Sequence, residues 1–441
     1  MQIKAGHHRI DCNDRNAESS RAVFDRHPAI DIQGGFMMIN RRKALLGAVS
    51  LTLSAVVASG LSTLAHAQGT AEPFKLGFLG SVTGSANQSG FNGIAGVNLA
   101  VKEINAAGGI LGRQIRVIIA DDQSDPTAAV SEARRLTQRE KVDAIVGPIA
   151  SQLTLATLPV LNETKTPSVS ISGSMAVTPQ AGPFHFSLLP SANAQAEAIA
   201  IYVDTVLHVK SAAVIHDAGA QTRSTVEALK VELGKRNIEL KAEQEYALTA
   251  TDMTPQLLSL RRTNPDVLLA LTAVGADTGA VIKSLADLSW GIKVVGNISV
   301  IVQPGVVIKV AGPDAYKNVV GINYKALTYC NGDAIGSSDF AKYKQRLQAE
   351  TGDKFAQYSP VLAGYLYDSV YVLKAAVEGA KKIDGAAMAA WMEQNAGSIK
   401  VMNANLSASK TSHFLIGASA LTMAEHADKS RSDGLQKRAG C

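Results

Sequence analysis

From residue 74 onward the chain alternates short apolar runs with longer amphipathic stretches, and Gly, Pro or Asp marks most of the joins. Strands are expected at 74–79, 115–120, 144–146, 169–171, 212–215, 239–246 and 267–271. Helices are expected at 91–106, 127–140, 153–162, 194–206, 222–236 and 362–380, with another starting at Thr254-Pro255, where Pro suits a first turn. Gly108-Gly109 stops the first helix, because glycine adopts the left-handed conformation a helix end needs. Strand–helix alternation of this kind predicts an α/β chain of parallel sheets with helices on both faces. At 441 residues it is too long for one ordinary core, so two lobes are expected.

The segment before residue 74 reads as an address. Asn40-Arg41-Arg42-Lys43 is a short basic stretch, residues 44–64 are uncharged and apolar, and Ala65-His66-Ala67 is a small-x-small cleavage site. Together, 37–67 form a secretory signal peptide with Gln68 as the expected mature N-terminus. The competing reading is an uncleaved anchor, since the apolar run is just long enough to span a bilayer. No Cys follows the cleavage site, which gives no support to a lipoprotein anchor. Residues 1–36 are polar and precede Met37-Met38, so translation is expected to begin at one of those two methionines and 1–36 to be a non-native extension. The expected compartment is the periplasm.

The body carries little net charge. Of the formal +5, the first 67 residues supply +3. That leaves no electrostatic footprint for nucleic acid or an anionic membrane. Aromatic residues make up 5% of the chain, too few for a base-stacking platform. The three cysteines, Cys12, Cys330 and Cys441, form no C-x-x-C pair, so neither zinc nor thioredoxin-type chemistry has a motif. Cys330 and Cys441 would be the only mature cysteines. An even count in an oxidising compartment permits a disulfide, and a free Cys330 is the alternative.

Several stretches taken together resemble a known family. These are Lys75-Leu76-Gly77-Phe78, then Gly84, Gly90 and Gly93, then the run from Glu103 to Arg113 containing Ala107-Gly108-Gly109. Asp121-Asp122 with Pro126, Gly147-Pro148 with Ser151, Asn264-Pro265-Asp266, and Gly364-Tyr365 with Asp368 follow in order. The ensemble resembles type I periplasmic solute-binding proteins of ABC importers, in the leucine/isoleucine/valine-binding branch, over about residues 74–380. The resemblance implies two Rossmann-like lobes joined by three hinge crossovers, one from 74–190 with 328–400 and the other from 191–327 with 401–441. It further implies a ligand in the cleft between them, permease and ATPase partners, a monomer, and no cofactor, metal or catalytic residue.

Ligands of open α/β sheets sit at the carboxyl ends of strands. Ser151 follows the expected strand 144–146 and opens a helix, where a hydroxyl and unpaired backbone N–H groups suit a carboxylate. It is either a ligand contact or a helix N-cap, and both roles are compatible. Thr154 stands one turn further on. Ser172 and Ser174 follow the strand 169–171, and which of them faces inward is open. Ser85 and Asn87 lie in the first loop, as cleft wall or as turn residues. In the second lobe Gln221 and Thr222 stand where the family often carries Tyr-Gly, and Ala273 begins the loop to Asp277. The acid that the family pairs with an α-ammonium falls at Ile298, which cannot pair with a cation. Either Asp217 or Asp277 takes that part, or the ligand has no ammonium. Burying an unpaired ammonium is costly, so the sequence leans slightly towards a carboxylate without an α-amino group, or one unlike leucine. The Tyr365, Tyr367 and Tyr371 stripe is expected to pack the core.

Two enzyme classes find no support. G-x-G-x-x-G is absent after the first strand and no Walker A sequence occurs. Ser174 lies in Ser172-Gly173-Ser174-Met175-Ala176, which is not G-x-S-x-G, and the histidines form no H-E-x-x-H. A ligand sensor of the same fold working with a separate receptor remains as an alternative to transport.

Overall fold

The computed structural model describes residues 72–335 and 338–441. The expectations for the extension 1–36, Cys12, the Met37-Met38 start and the signal peptide 37–67 lie outside the described residues. The chain begins with β1 (Phe74–Gly80), α1 (Asn87–Ala106), β2 (Ile115–Asp121), α2 (Pro126–Arg134), β3 (Ala144–Val146), α3 (Ser151–Thr164), β4 (Ser168–Ser170) and β5 (His185–Ser187). These five strands make one all-parallel sheet in the order β2-β1-β3-β4-β5. β1 lies inside it and is almost wholly buried, as a strand covered on both faces should be.

Next come α4 (Ala192–Thr205), β6 (Ser211–Asp217), α5 (Ala220–Gly234), β7 (Glu239–Tyr246), α6 (Thr254–Arg261), β8 (Val267–Leu271), α7 (Gly275–Asp287), β9 (Val294–Gly296), α8 (Ser299–Val302), α9 (Pro304–Ala311), β10 (Val319–Tyr324) and β11 (Thr328–Tyr329). The chain then forms α10 (Asp339–Thr351), α11 (Pro360–Ala380), α12 (Gly385–Asn395), β12 (Leu421–Glu425) and β13 (Gln436–Arg438). The second sheet runs β11-β13-β12-β10-β9-β8-β6-β7. From β7 to β10 it is parallel, and β12 joins β10 antiparallel. α10 and α11 pack beside α1, and α11 also packs on β3 and β4, so this late segment returns to the first sheet. The chain therefore crosses between the sheets three times: after β5, after β11 and before β12.

Two glycines position the parts that matter. A Cβ on Gly96 of α1 would sit 1.9 Å from the Ala363 carbonyl oxygen, so only glycine lets α1 lie this close to α11. Gly147 has φ +110° and ends β3, and a Cβ there would meet the Leu79 carbonyl oxygen at 1.9 Å. That turn directs the chain into α3.

Some boundaries differ from expectation. α1 begins at Asn87, inside the stretch read as a loop. The helix read over 127–140 is α2 to Arg134, followed by a π turn over Arg135–Arg139. α2 is capped by Asp125, which accepts the Ala128 N–H, with Pro126 in the first turn. Of the two cysteine alternatives, the structure has the disulfide: Cys330 is bonded to Cys441, tying the residue after β11 to the segment after β13.

Candidate functional site

A cavity of about 510 Å³ lies between the two sheets, walled by the loops that follow β1, β2, β3, β6, β7, β8 and β9. These are carboxyl ends of parallel strands, where first-turn amides of the following helices are exposed. From the first lobe, α3 brings Ser151 and Gln152 to the wall. Ser151 is the first helical residue and not the N-cap, which is Ala150, and no side chain caps this helix. Its hydroxyl is used otherwise. Ser151 Oγ accepts a hydrogen bond from Ser172 Oγ at 3.0 Å and another from the Gly173 N–H at 3.1 Å. Two donors occupy both lone pairs, so the single Ser151 proton is left to donate. Beside it, the N–H groups of Ser151 and Gln152 belong to the first turn, which has no intrahelical acceptors. The result is a donor cluster suited to an anionic oxygen.

The second lobe presents acids. Asp277 is an N-terminal residue of α7 whose carboxylate accepts the N–H groups of Ala273, Val274 and Thr278 and the Tyr246 hydroxyl, all at 2.8–2.9 Å. Burial lifts its carboxyl above the ordinary value, against those four hydrogen bonds. Asp217, at the end of β6, is less well served. Its Oδ1 accepts from the Gly219 N–H at 2.6 Å and Thr222 Oγ1 at 2.9 Å, while its Oδ2 is buried with no hydrogen-bond partner. Burial, then the charge of Asp277, push the Asp217 carboxyl up to about 7. Gln221 Nε2 and the Tyr365 hydroxyl, both on residues of the wall, likewise make no hydrogen bond to protein. Among the described residues, no Lys, Arg or His lines the cavity.

Of the residues singled out from sequence, Ser85, Ser151, Gln221 and Ala273 come together in the wall, with Thr222, Ile298, Asp217 and Asp277. Four do not reach it. Ser172 is fully buried behind Ser151, donating to it. Ser174 Oγ instead meets Ser224 Oγ of α5 at 3.1 Å, across the gap between the lobes. Thr154 is buried in α3 and bonds back to the Ala150 carbonyl. Asn87 is the exposed first residue of α1. Sequence reasoning missed the wall hydroxyls Ser81, Ser124, Thr272 and Ser299 and the 248–251 loop. Ser81, Thr272 and Ser299 stand just past strand ends, so applying the carboxyl-end rule to every strand would have found them. Tyr365, expected to pack the core, is buried and borders the cavity as well.

Two sheets joined by three crossings, with a hydroxyl-lined cavity at their facing strand ends, define a two-lobed solute-binding class of fold. Residues 73–430 match the periplasmic binding protein family, and the chain belongs to that family. An amino acid binding protein of Pseudomonas aeruginosa is 24% identical over 351 residues, covering 79% of this chain and 88% of that protein. A Leu/Ile/Val-binding protein of Rhizobium johnstonii is 26% identical over 257 residues, 56% of this chain and 66% of that one. The fold is shared with the branched-chain amino acid transporter substrate-binding protein LivJ of Streptococcus pneumoniae, solved with isoleucine. The TM-score is 0.70 at 21% identity, over 84% of this chain and 100% of that one. It is also shared with a solute-binding protein of an ABC transporter from Rhodopseudomonas palustris, solved with 3,4-dihydroxybenzoic acid. There the TM-score is 0.70 at 18% identity, over 83% and 96%. The chain is thus a leucine-binding-protein-like periplasmic binding protein of type I. No helix among the described residues is long and apolar enough to cross a membrane.

Proposed function

We propose that this protein is the extracytoplasmic binding component of an ABC importer of the branched-chain amino acid type. It takes an amino acid or another small carboxylate into the cleft and presents the closed complex to a permease and its ATPase. The lobes of the clamp are 74–190 with 328–400 and 191–327 with 401–441, and the monomer works in the periplasm. Lobe closure follows from the ligand's stronger binding to the closed form, and the protein makes or breaks no bond.

The observation that carries this reading is the Ser151 hydroxyl. Both of its lone pairs are filled by donors from the Ser172–Gly173 turn, which leaves its proton to donate at the wall of a cavity that no described Lys, Arg or His lines. A ligand carboxylate bound there takes the Ser151 proton and the first-turn amides of α3. Names among the relatives and the ligands of the structural neighbours are amino acids and small carboxylic acids, in keeping with that chemistry. The test is a thermal-shift screen of the purified protein against amino acids and aliphatic and aromatic acids. At least one carboxylate should raise the melting temperature, and Ser151→Ala should weaken that ligand about tenfold or more, the loss expected for a hydrogen bond to a charged group. An unchanged affinity in Ser151→Ala would remove the carboxylate site from α3.

A further inference from the structure

We propose that the cleft selects ligands bearing a protonated amine and that Asp217 is the residue that selects them. This rests on the reading of the cleft as the solute site, and it reverses the leaning drawn from Ile298. The position where the family places its acid is aliphatic here, yet the wall supplies a carboxylate from another strand. Asp217 is fully buried at the end of β6, lines the cavity, and has one oxygen with no hydrogen-bond partner. A buried carboxylate oxygen without a partner is an expensive feature, and no described residue relieves it.

The surroundings show why. On its own strand, His216 turns Nδ1 to the Asp217 carbonyl and not to the carboxylate. On α5, Arg223 is exposed and committed to Glu245 through two hydrogen bonds of 2.7 Å. On β7, Glu243 faces His216 and Lys230, and Tyr246 donates to Asp277. On α7, Asp277 adds a like charge whose own oxygens are already filled. From the opposite lobe the wall offers hydroxyls, apolar groups and the Tyr365 phenol. Behind Ser81, which donates to it, the buried Asp122 adds a further carboxyl whose Oδ2 also lacks a partner, though Asp122 does not itself line the cavity. Among the described residues, every ionisable side chain lining the cavity is thus an acid or a phenol. The counter-charge that Asp217 lacks has to come from the ligand, and an ammonium supplies both the charge and the hydrogen-bond donors.

One α-amino acid spans the two halves of this design. Its carboxylate meets Ser151 and the α3 amides on one lobe, and its ammonium meets Asp217 on the other. Only the closed clamp engages both ends. A proton accompanies the event, because a carboxyl that titrates near neutrality in the ligand-free cleft is fully ionised beside an ammonium.

Calorimetry on the purified protein tests this with matched pairs: L-leucine against 4-methylpentanoate, L-phenylalanine against 3-phenylpropanoate, and the remaining amino acids against the available des-amino acids. The amino acids that bind should do so about a hundredfold more tightly than their des-amino partners, and Asp217→Asn should erase that gap. The variant keeps an oxygen to accept from Gly219 and Thr222, so the fold is expected to survive. Des-amino binding that persists in the variant would show that it has. With an Asp217 carboxyl near 7, binding to the wild type at pH 7 should release about half a proton per ligand, read from buffers of different ionisation enthalpy, and the variant should release none. Des-amino acids that bind as tightly as amino acids, or full amino-acid affinity in Asp217→Asn, would overturn the proposal while leaving the carboxylate site standing. If neither series binds at all, the solute-site reading falls and takes this one with it.

Discussion

The two walls of the cleft are built on opposite plans. Around Ser151 the first lobe's polar groups are paired before any ligand arrives, while Asp122 Oδ2 and the Tyr365 hydroxyl of the same lobe are buried without partners. His185 of β5 is fully buried, yet Ser168 and Ser170 occupy its two ring nitrogens at 2.8 and 2.9 Å. Ser187 donates to the Ser172 carbonyl, Ser172 donates to Ser151, and one hydroxyl proton is left over. In the second lobe the pairing stops short. Asp217 Oδ2 and Gln221 Nε2 are buried without partners. A preorganised donor array costs little reorganisation on binding. An unsatisfied acid costs stability until something fills the gap. The first lobe is therefore suited to capture, and the second to gain most from closure over the captured ligand.

That contrast should be visible in how stability depends on pH, which is the largest effect expected. Asp217 titrates near 7 in the fold against 3.8 in the reference state. Between about pH 4 and 7 the folded protein therefore holds a proton that the unfolded chain has released, and stability falls as pH rises through this window. The slope is about 1.4 kcal/mol per pH unit, which sums to about 4 kcal/mol. His185 works in the other direction. Burial pushes its imidazole down from 6.5 to about 3, so below pH 6.5 the unfolded chain takes up a proton that the fold refuses, and stability falls as pH drops. Urea unfolding of the ligand-free protein at several pH values separates the two. Asp217→Asn should gain on the wild type as pH rises from 4 to 7, and His185→Gln should gain on it as pH falls below 6.5. Parallel curves for wild type and Asp217→Asn would mean that Asp217 is not the unsatisfied group.

A smaller effect sharpens the contrast at the level of the sheets. The second sheet carries a covalent closure at its crossover end, where Cys330 follows β11 and Cys441 follows β13 at a sequence separation of 111. Loop-closure arguments give such a bond about 3 kcal/mol after allowance for residual structure in the unfolded chain. The Cys330→Ser, Cys441→Ser double variant should lose about that much in equilibrium unfolding. Its extra amide exchange should appear in β11–β13, with β1–β5 protected as before. Equal loosening of both sheets would show that the bond does not act locally.

The sequence was most legible where the chain repeats strand, turn and helix with clear punctuation. The expected bounds of β3, β7 and β8 coincide with those found. It was least legible over 272–361, where β9, α8, α9 and β10 follow one another. Val294–Gly296, Ser299–Val302 and Pro304–Ala311 are apolar but for Ser299 and Lys309, so neither a period of two nor of 3.6 stands out. The start of α1 was misread because the Gly/Ser/Asn stretch up to Gly90 looks like a loop, although Gly93 was read within the helix. In the fold Gly90 and Gly93 make room for the Ser81 carbonyl and the Phe78 ring. At the site, Ser151 could be found from its place after a strand. That its hydroxyl is oriented by Ser172, and that Ser174 meets the other lobe, depend on side-chain direction, which spacing does not encode. Thr154 failed as a candidate because a mid-helix threonine can bond back to the preceding turn. Asp217 was visible as an acid, but its missing partner is a property of everything packed around it.

The smallest predicted effect probes the preorganised half. Ser172 is too deeply buried to touch a ligand, and it acts only through its hydrogen bond to Ser151 Oγ. Ser172→Ala removes one of the two donors that fix the Ser151 rotamer, while the Gly173 N–H keeps the other. With a lone pair freed, the Ser151 proton gains rotamers that point away from the cavity, and part of the binding free energy is spent on restoring the productive one. A lost neutral hydrogen bond of this kind is worth about 1 kcal/mol, so ligand affinity should fall roughly fivefold. Because the defect lies in the resting orientation of a first-lobe group, it should be the same for an amino acid and its des-amino partner. The ratio between the two, set by the second lobe, should not move. Calorimetry with one such pair on Ser172→Ala and on Asp217→Asn therefore tests whether the walls act independently. A change in that ratio in Ser172→Ala would show that the two halves are coupled through the ligand, and the division of labour between capture and closure would not hold.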